Sequence, residues 1–83
     1  MRESSFVFMC KKEVIEHARY TAGVNLTEDD VYVVWQCKAL QNYKALLYTS
    51  MADSLYYEVT YDGNRGEFYV SAYKKVDTFT VIV

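Results

Sequence analysis

Along the opening of the chain, apolar and small residues recur at steps of three and four: Phe6, Val7, Cys10, Val14, Ala18 and Thr21. That spacing draws one stripe down a helix, predicted over residues 5–22. Lys11, Lys12, Glu13, Glu16 and Arg19 fall mostly on the other side. Ser4 or Ser5 is the expected cap, because a hydroxyl there can accept from the first free N–H groups. Gly23 is the expected stop. Thr27 is followed three residues later by Asp30, which resembles a capping box and predicts one helical turn before a strand.

From Val31 onward the period changes to two. Val31, Val33, Trp35, Cys37 and Ala39 are read as the core face of a first strand, with Tyr32, Val34, Gln36 and Lys38 opposite. Gln41-Asn42 marks a turn, and Ala45 to Thr49 returns as a second strand. A helix over Lys38–Tyr48 is the competing reading, since Lys, Ala, Leu and Gln favour helices; the β-branched run before it tips the balance to strands. Met51–Ser54 reads as a loop. Leu55, Tyr57, Val59 and Tyr61 alternate with Tyr56, Glu58, Thr60 and Asp62, the cleanest alternation in the chain. Asp62-Gly63-Asn64-Arg65-Gly66 is a hairpin loop, and Glu67 to Lys75 pairs back. After a bend at Asp77-Thr78, Phe79 to Val83 extends that strand or forms a short fifth. The expected fold is α+β: one N-terminal helix packed on a four-stranded antiparallel meander. Residues 1–83 make one domain, helical over about 5–22 and β-rich over about 31–83.

Size sharpens this picture. A chain of 83 residues and 9.7 kDa holds one core, with roughly 5,000 Å² of folded surface against roughly 14,000 Å² unfolded. A net stability of about 5 kcal/mol is expected, at the low end of the usual range. The apolar fraction of 52% is that of a globular protein. A net charge of −2 argues against nucleic acid, which requires a basic patch to displace counterions. It argues equally against an anionic membrane surface. The start Met1–Val14 lacks the long apolar run of a signal peptide. The chain therefore reads as cytoplasmic, with Cys10 and Cys37 as reduced thiols.

Candidate chemistry is sparse. A Cys–His pair would need His17 beside a thiol, but Cys10 lies about 10 Å away along the helix axis. His17 reads instead as a flank residue beside the buried stripe. Two cysteines 27 positions apart and one histidine do not make a zinc site. Asp62-Gly63-Asn64 lacks the further oxygen ligands of a calcium loop. No phosphate-binding glycine pattern occurs, so no cofactor, metal or catalytic residue is expected. Both cysteines sit on faces read as apolar, where a thiol behaves as a small hydrophobe.

The aromatics carry the remaining signal. Nine tyrosines are many for this length. Strand preference accounts for some of them. Tyrosine also supplies large contact area, low entropy loss and a polar tip at protein interfaces. Alternation sends Tyr57 and Tyr61 inward and leaves Tyr32, Tyr56, Tyr69 and Tyr73 outward, with Glu58 and Glu67 nearby. These six residues form the candidate protein interface. Base stacking on such a sheet is disfavoured, because the positive charge and glycine–aromatic signature of RNA-binding sheets are missing.

The run Trp35-Gln36-Cys37-Lys38-Ala39-Leu40-Gln41-Asn42-Tyr43-Lys44-Ala45-Leu46, together with Tyr56-Tyr57-Glu58-Val59-Thr60-Tyr61-Asp62-Gly63-Asn64 and Ala72-Tyr73-Lys74-Lys75, resembles a family of small uncharacterised proteins encoded by phages and prophages of Gram-positive bacteria. The resemblance covers roughly residues 26–76. It departs at Ser71, where the family carries an acid, and after Lys75. It implies a phage setting and brings no established activity. The expected function is a non-enzymatic phage accessory protein that binds and modulates a bacterial host or defence protein, for instance as an anti-CRISPR-type inhibitor. A self-associating scaffolding protein, with a homodimer, is the alternative; a small thiol enzyme stands behind both.

Overall fold

The computed structural model describes residues 2–50 and 55–82. Its elements are α1 (Glu3–Ala22), a single 3-10 turn (Glu28–Asp30), β1 (Tyr32–Ala39), β2 (Asn42–Tyr48), β3 (Leu55–Asp62) and β4 (Glu67–Lys74). The four strands form one antiparallel sheet in the order β1-β2-β3-β4. This is the α+β meander with one N-terminal helix. The segment Lys38–Tyr48 is strand and turn, not helix. The predicted loop Met51–Ser54 lies outside the described residues.

The helix starts earlier than Ser4-Ser5 suggests. Its N-cap is Arg2, with no side-chain cap bond, and Glu3 in the first turn meets the positive end of the helix dipole instead. Gly23 ends it at φ 66, its N–H donating to the Arg19 carbonyl while the Val24 N–H donates to that of Ala18. Thr27 and Asp30 close the expected capping box reciprocally. Phe6, Cys10, Val14 and Ala18, one per turn, are the buried stripe; Thr21 is exposed, its hydroxyl donating to the His17 carbonyl.

The stripe packs against Tyr43, Ala45 and Leu47 of β2 and Tyr57 and Val59 of β3, all buried. At one end Phe6 meets Tyr43 with ring centroids 4.9 Å apart, and Phe68 stacks below it. At the other end the buried Tyr57 hydroxyl lies 2.8 Å from His17 Nδ1, so the histidine completes a polar tip that would otherwise be stranded inside. Leu55 and Tyr61 are half-buried on this same face.

The first strand departs from its expected phase. β1 pairs Val33 with Leu47 and then Trp35 with Leu46, skipping Val34 as a bulge. A bulge puts two residues opposite one and reverses the alternation beyond it. Val31 and Val33 therefore point to the core, whereas Trp35, Cys37 and Ala39 turn to the face away from the helix, and Gln36 and Lys38 take the helix side. Trp35 is 44% exposed and Cys37 is exposed, which corrects the core assignment of both.

The turn between β1 and β2 is Leu40-Gln41, one residue before the expected Gln41-Asn42. Leu40 takes φ 57, the only non-glycine positive φ among the described residues. It occupies the first of two turn positions, where a hairpin with one positive φ takes glycine. Strain there costs about 1–3 kcal/mol, and the side chain, 85% exposed, recovers little by packing. Leu40→Gly is therefore expected to stabilise by about 1 kcal/mol once the extra entropy of unfolded glycine is subtracted. A urea titration checks this; an unchanged or lower midpoint would refute the strain argument.

After Lys74 the chain leaves the sheet. Residues 75–82 are irregular and exposed, so Phe79–Ile82 neither prolongs β4 nor forms a fifth strand within the chain; Val83 lies outside the described residues.

Candidate interface on the open sheet face

The sheet has a second face that no other element covers among the described residues. The registers show what it carries. Tyr32 pairs with Tyr48, Tyr48 with Tyr56, and Tyr56 with Tyr73. These partners share a face, so four tyrosines form one row across all four strands. At a strand spacing of about 4.8 Å the row is about 14 Å long. Tyr48 and Tyr56 rings lie 4.7 Å apart between centroids, close enough to stiffen each other. The outer two, Tyr32 and Tyr73, are exposed.

The next row is Trp35, Leu46, Glu58 and Ser71, followed by Cys37, Lys44, Thr60 and Tyr69. Lys44 Nζ sits 3.5 Å from Glu58 Oε2, a diagonal ion pair in the middle of the face. Such a half-exposed pair contributes about 0–1 kcal/mol, so it orients side chains more than it stabilises. The Tyr69 hydroxyl donates to Glu67 Oε2 at 2.6 Å. That bond, with the carboxylate charge, raises the Tyr69 phenol above its ordinary value. A hollow of about 230 Å³ opens between Cys37, Ala39, Asn42, Lys44 and Thr60.

All six residues singled out from alternation, Tyr32, Tyr56, Glu58, Glu67, Tyr69 and Tyr73, thus lie on one face. Sequence reasoning missed three contributors. Tyr48 and Leu46 follow from the alternation of β2 with Ala45 and Leu47, a signal that was present. Trp35 was misplaced by the bulge, for which the run Val31-Tyr32-Val33-Val34 gives no cue.

The candidate thiol chemistry is pulled apart by the same geometry. His17 is on the helix side, bonded to Tyr57, while Cys37 is on the opposite face of the sheet. Cys10 is fully buried, and burial, then the neighbouring Glu13 carboxylate, pushes its thiol up to about 12. A thiol held protonated is a poor nucleophile. Among the described residues no three His, Cys, Asp or Glu side chains converge as a metal site would require, and no helix is long and apolar enough to cross a membrane.

The turn tips at one end of the sheet are locked together. Gly63 N–H donates to Asn42 Oδ1 at 3.0 Å, and Gln41 Nε2 donates to Asn64 Oδ1. Asp62 Oδ1 accepts from the backbone of Asn64 and Arg65, folding the β3–β4 loop. The open face therefore sits on a rigid frame, which lowers the entropy cost of presenting it.

Residues 7–83 match a family model described as a family of unknown function (DUF6275). The match takes in the helix and the tail, more of the chain than the resemblance at residues 26–76. No curated protein and no solved structure matches the chain.

Proposed function

Because this chain belongs to the DUF6275 family, whose function is unknown, no activity comes with membership, and we propose from its surface that it is a non-enzymatic protein that binds another protein through the open sheet face. The observation that supports this is the row Tyr32-Tyr48-Tyr56-Tyr73 flanked by Trp35 and Leu46. Tyrosine and tryptophan are the residues in which binding energy concentrates. Here five of them stand on a pleated layer with few rotatable bonds.

Size supports the reading. An eight-residue strand spans about 26 Å and four strands about 19 Å, so the face measures about 500 Å² in projection. Apolar patches of a few hundred Å² on small proteins tend to mark contact sites.

The partner we propose is a bacterial host or defence protein in the cytoplasm, with an anti-CRISPR-type inhibitor as one form; the resemblance to phage-encoded proteins supports this reading. The mechanism is steric: the face occupies a working surface of the partner. Glu58, Asp62 and Glu67 add negative charge around the tyrosines, which suits a basic partner and speeds encounter.

The test is a quantitative capture from bacterial lysate, followed by titration of the captured protein. Tyr32→Ala with Tyr73→Ala should weaken binding on the order of 100-fold or more, at about 2 kcal/mol per anchoring ring. The thermal midpoint should barely move, since both rings are exposed. Full affinity in the folded double variant would reject this face as the contact.

A further inference from the structure

We infer that residues 76–82 form a strand that docks in the groove between α1 and β4 of a second copy of this chain. The proposal concerns a different surface from the tyrosine face and stands apart from it.

The donor is unusual for a segment left in water. Val76, Phe79, Val81 and Ile82 are 97%, 80%, 70% and 92% exposed. The segment reads Val-Asp-Thr-Phe-Thr-Val-Ile, β-branched and aromatic with period two. Extended, it places Asp77, Phe79 and Val81 on one side and Val76, Thr78, Thr80 and Ile82 on the other. The family match runs through this segment, so it is part of the same domain.

The acceptor is equally incomplete. α1 lies over β2 and β3 and meets β4 at Phe68, stacked on Phe6, but leaves the rest of that strand's inner side open. Val70 pairs with the fully buried Val59, yet is 40% exposed. Ala72 pairs with the fully buried Tyr57 and is exposed too. Between this ledge and the helix runs a groove of about 320 Å³ lined by Glu13, Glu16, His17, Tyr20, Thr21 and Val70. β4 is the last strand of the sheet, and it pairs with β3 without a bulge. Its outer edge is a straight template for another strand.

Length, pattern and charge agree. Seven extended residues span about 23 Å against about 26 Å for β4. A strand added there sets Phe79 and Val81 over Val70 and Tyr20 and leaves Val76, Thr78, Thr80 and Ile82 to continue the open face. Lys74 and Lys75 at the base of the donor complement Glu13 and Glu16 on the acceptor.

A second copy is the occupant because the chain's own β4 is reached only through a tight reversal at Val76-Asp77. Two-residue hairpin turns need positive φ, which a β-branched residue such as Val76 resists. A second copy imposes no turn, and reciprocal exchange satisfies both grooves at once.

Sedimentation velocity of the full chain from about 1 to about 200 µM should show the mass doubling with concentration. Phe79→Asp with Val81→Asp should hold it monomeric throughout without changing the fold, since both residues are exposed. Tyr32→Ala with Tyr73→Ala should leave the dimer intact. In a Cys37→Ser background, Val70→Cys with Val81→Cys should oxidise to a covalent dimer on a non-reducing gel. A wild type that stays monomeric, a dimer that survives the aspartates, or an oxidised product that remains monomeric would each overturn the exchange.

Discussion

Gly63→Ala is expected to destabilise the protein by about 3 kcal/mol and to lower its thermal midpoint by about 15 °C. A Cβ built on Gly63 overlaps the Gln41 carbonyl oxygen and lies 2.9 Å from its carbonyl carbon. Both atoms are backbone, in a two-residue turn that cannot swing aside. To make room the two hairpin tips must part, which breaks the Gly63–Asn42 and Gln41–Asn64 hydrogen bonds. Each is worth about 1 kcal/mol, added to about 1 kcal/mol or more for overpacking. Gly66, at φ 64 with nothing near its missing side chain, supplies the control. Gly66→Asn keeps the left-handed conformation accessible and should cost only a few tenths of a kcal/mol. Thermal melts of both variants separate the cases; equal midpoints would show that the tips do not touch.

Alkaline pH should undo the fold through Cys10. The unfolded thiol ionises near its ordinary 9.0, whereas burial and the nearby Glu13 hold the folded thiol protonated up to about 12. Between those values the unfolded state has lost a proton that the folded state keeps. Stability is therefore whole below pH 9 and falls as pH rises, by about 1.4 kcal/mol per unit. By pH 12 the loss is about 4 kcal/mol, most of the roughly 5 kcal/mol expected for a chain of this size. Burial raises the Tyr57 phenol as well, so it adds a loss of the same sign above its ordinary 10. Urea midpoints measured from pH 8 to 11 under reducing conditions should slope downward from pH 9. Cys10→Ala should cost about 1 kcal/mol at neutral pH through the small cavity, and should flatten the slope between pH 9 and 10. An identical slope in that variant would place the titrating group elsewhere.

Much of the architecture was legible because its signals are local. Steps of three and four placed α1 over Cys10 and Val14. Strict alternation placed Tyr57 and Val59 inside and Tyr56 and Glu58 outside. Asp62-Gly63 announced a hairpin. Three features were illegible for physical reasons. A bulge adds one residue without any compositional mark, and Val31 to Val34 are suited to either face, so Trp35 and Cys37 were placed on the wrong one. The turn at Leu40 uses a residue that local energetics disfavours, so the eye moves to Gln41-Asn42. The tail has every property of a strand except a neighbour to pair with, and propensity alone does not supply one. The candidate face itself was half visible: its edge tyrosines came from alternation, while Trp35 required the register.

The extra residue at Val34 lets β1 change phase without changing its partners. Upstream of it, odd-numbered positions are interior; downstream, they are solvent-side. Val33 and Trp35 face consecutive positions of β2, Leu47 and Leu46, so a descendant that lost Val34 would pair regularly and still show the indole and the thiol outward, with Gln36 and Lys38 on the helix side. Family members that differ by that one residue would share a surface while their odd–even pattern stands shifted by one.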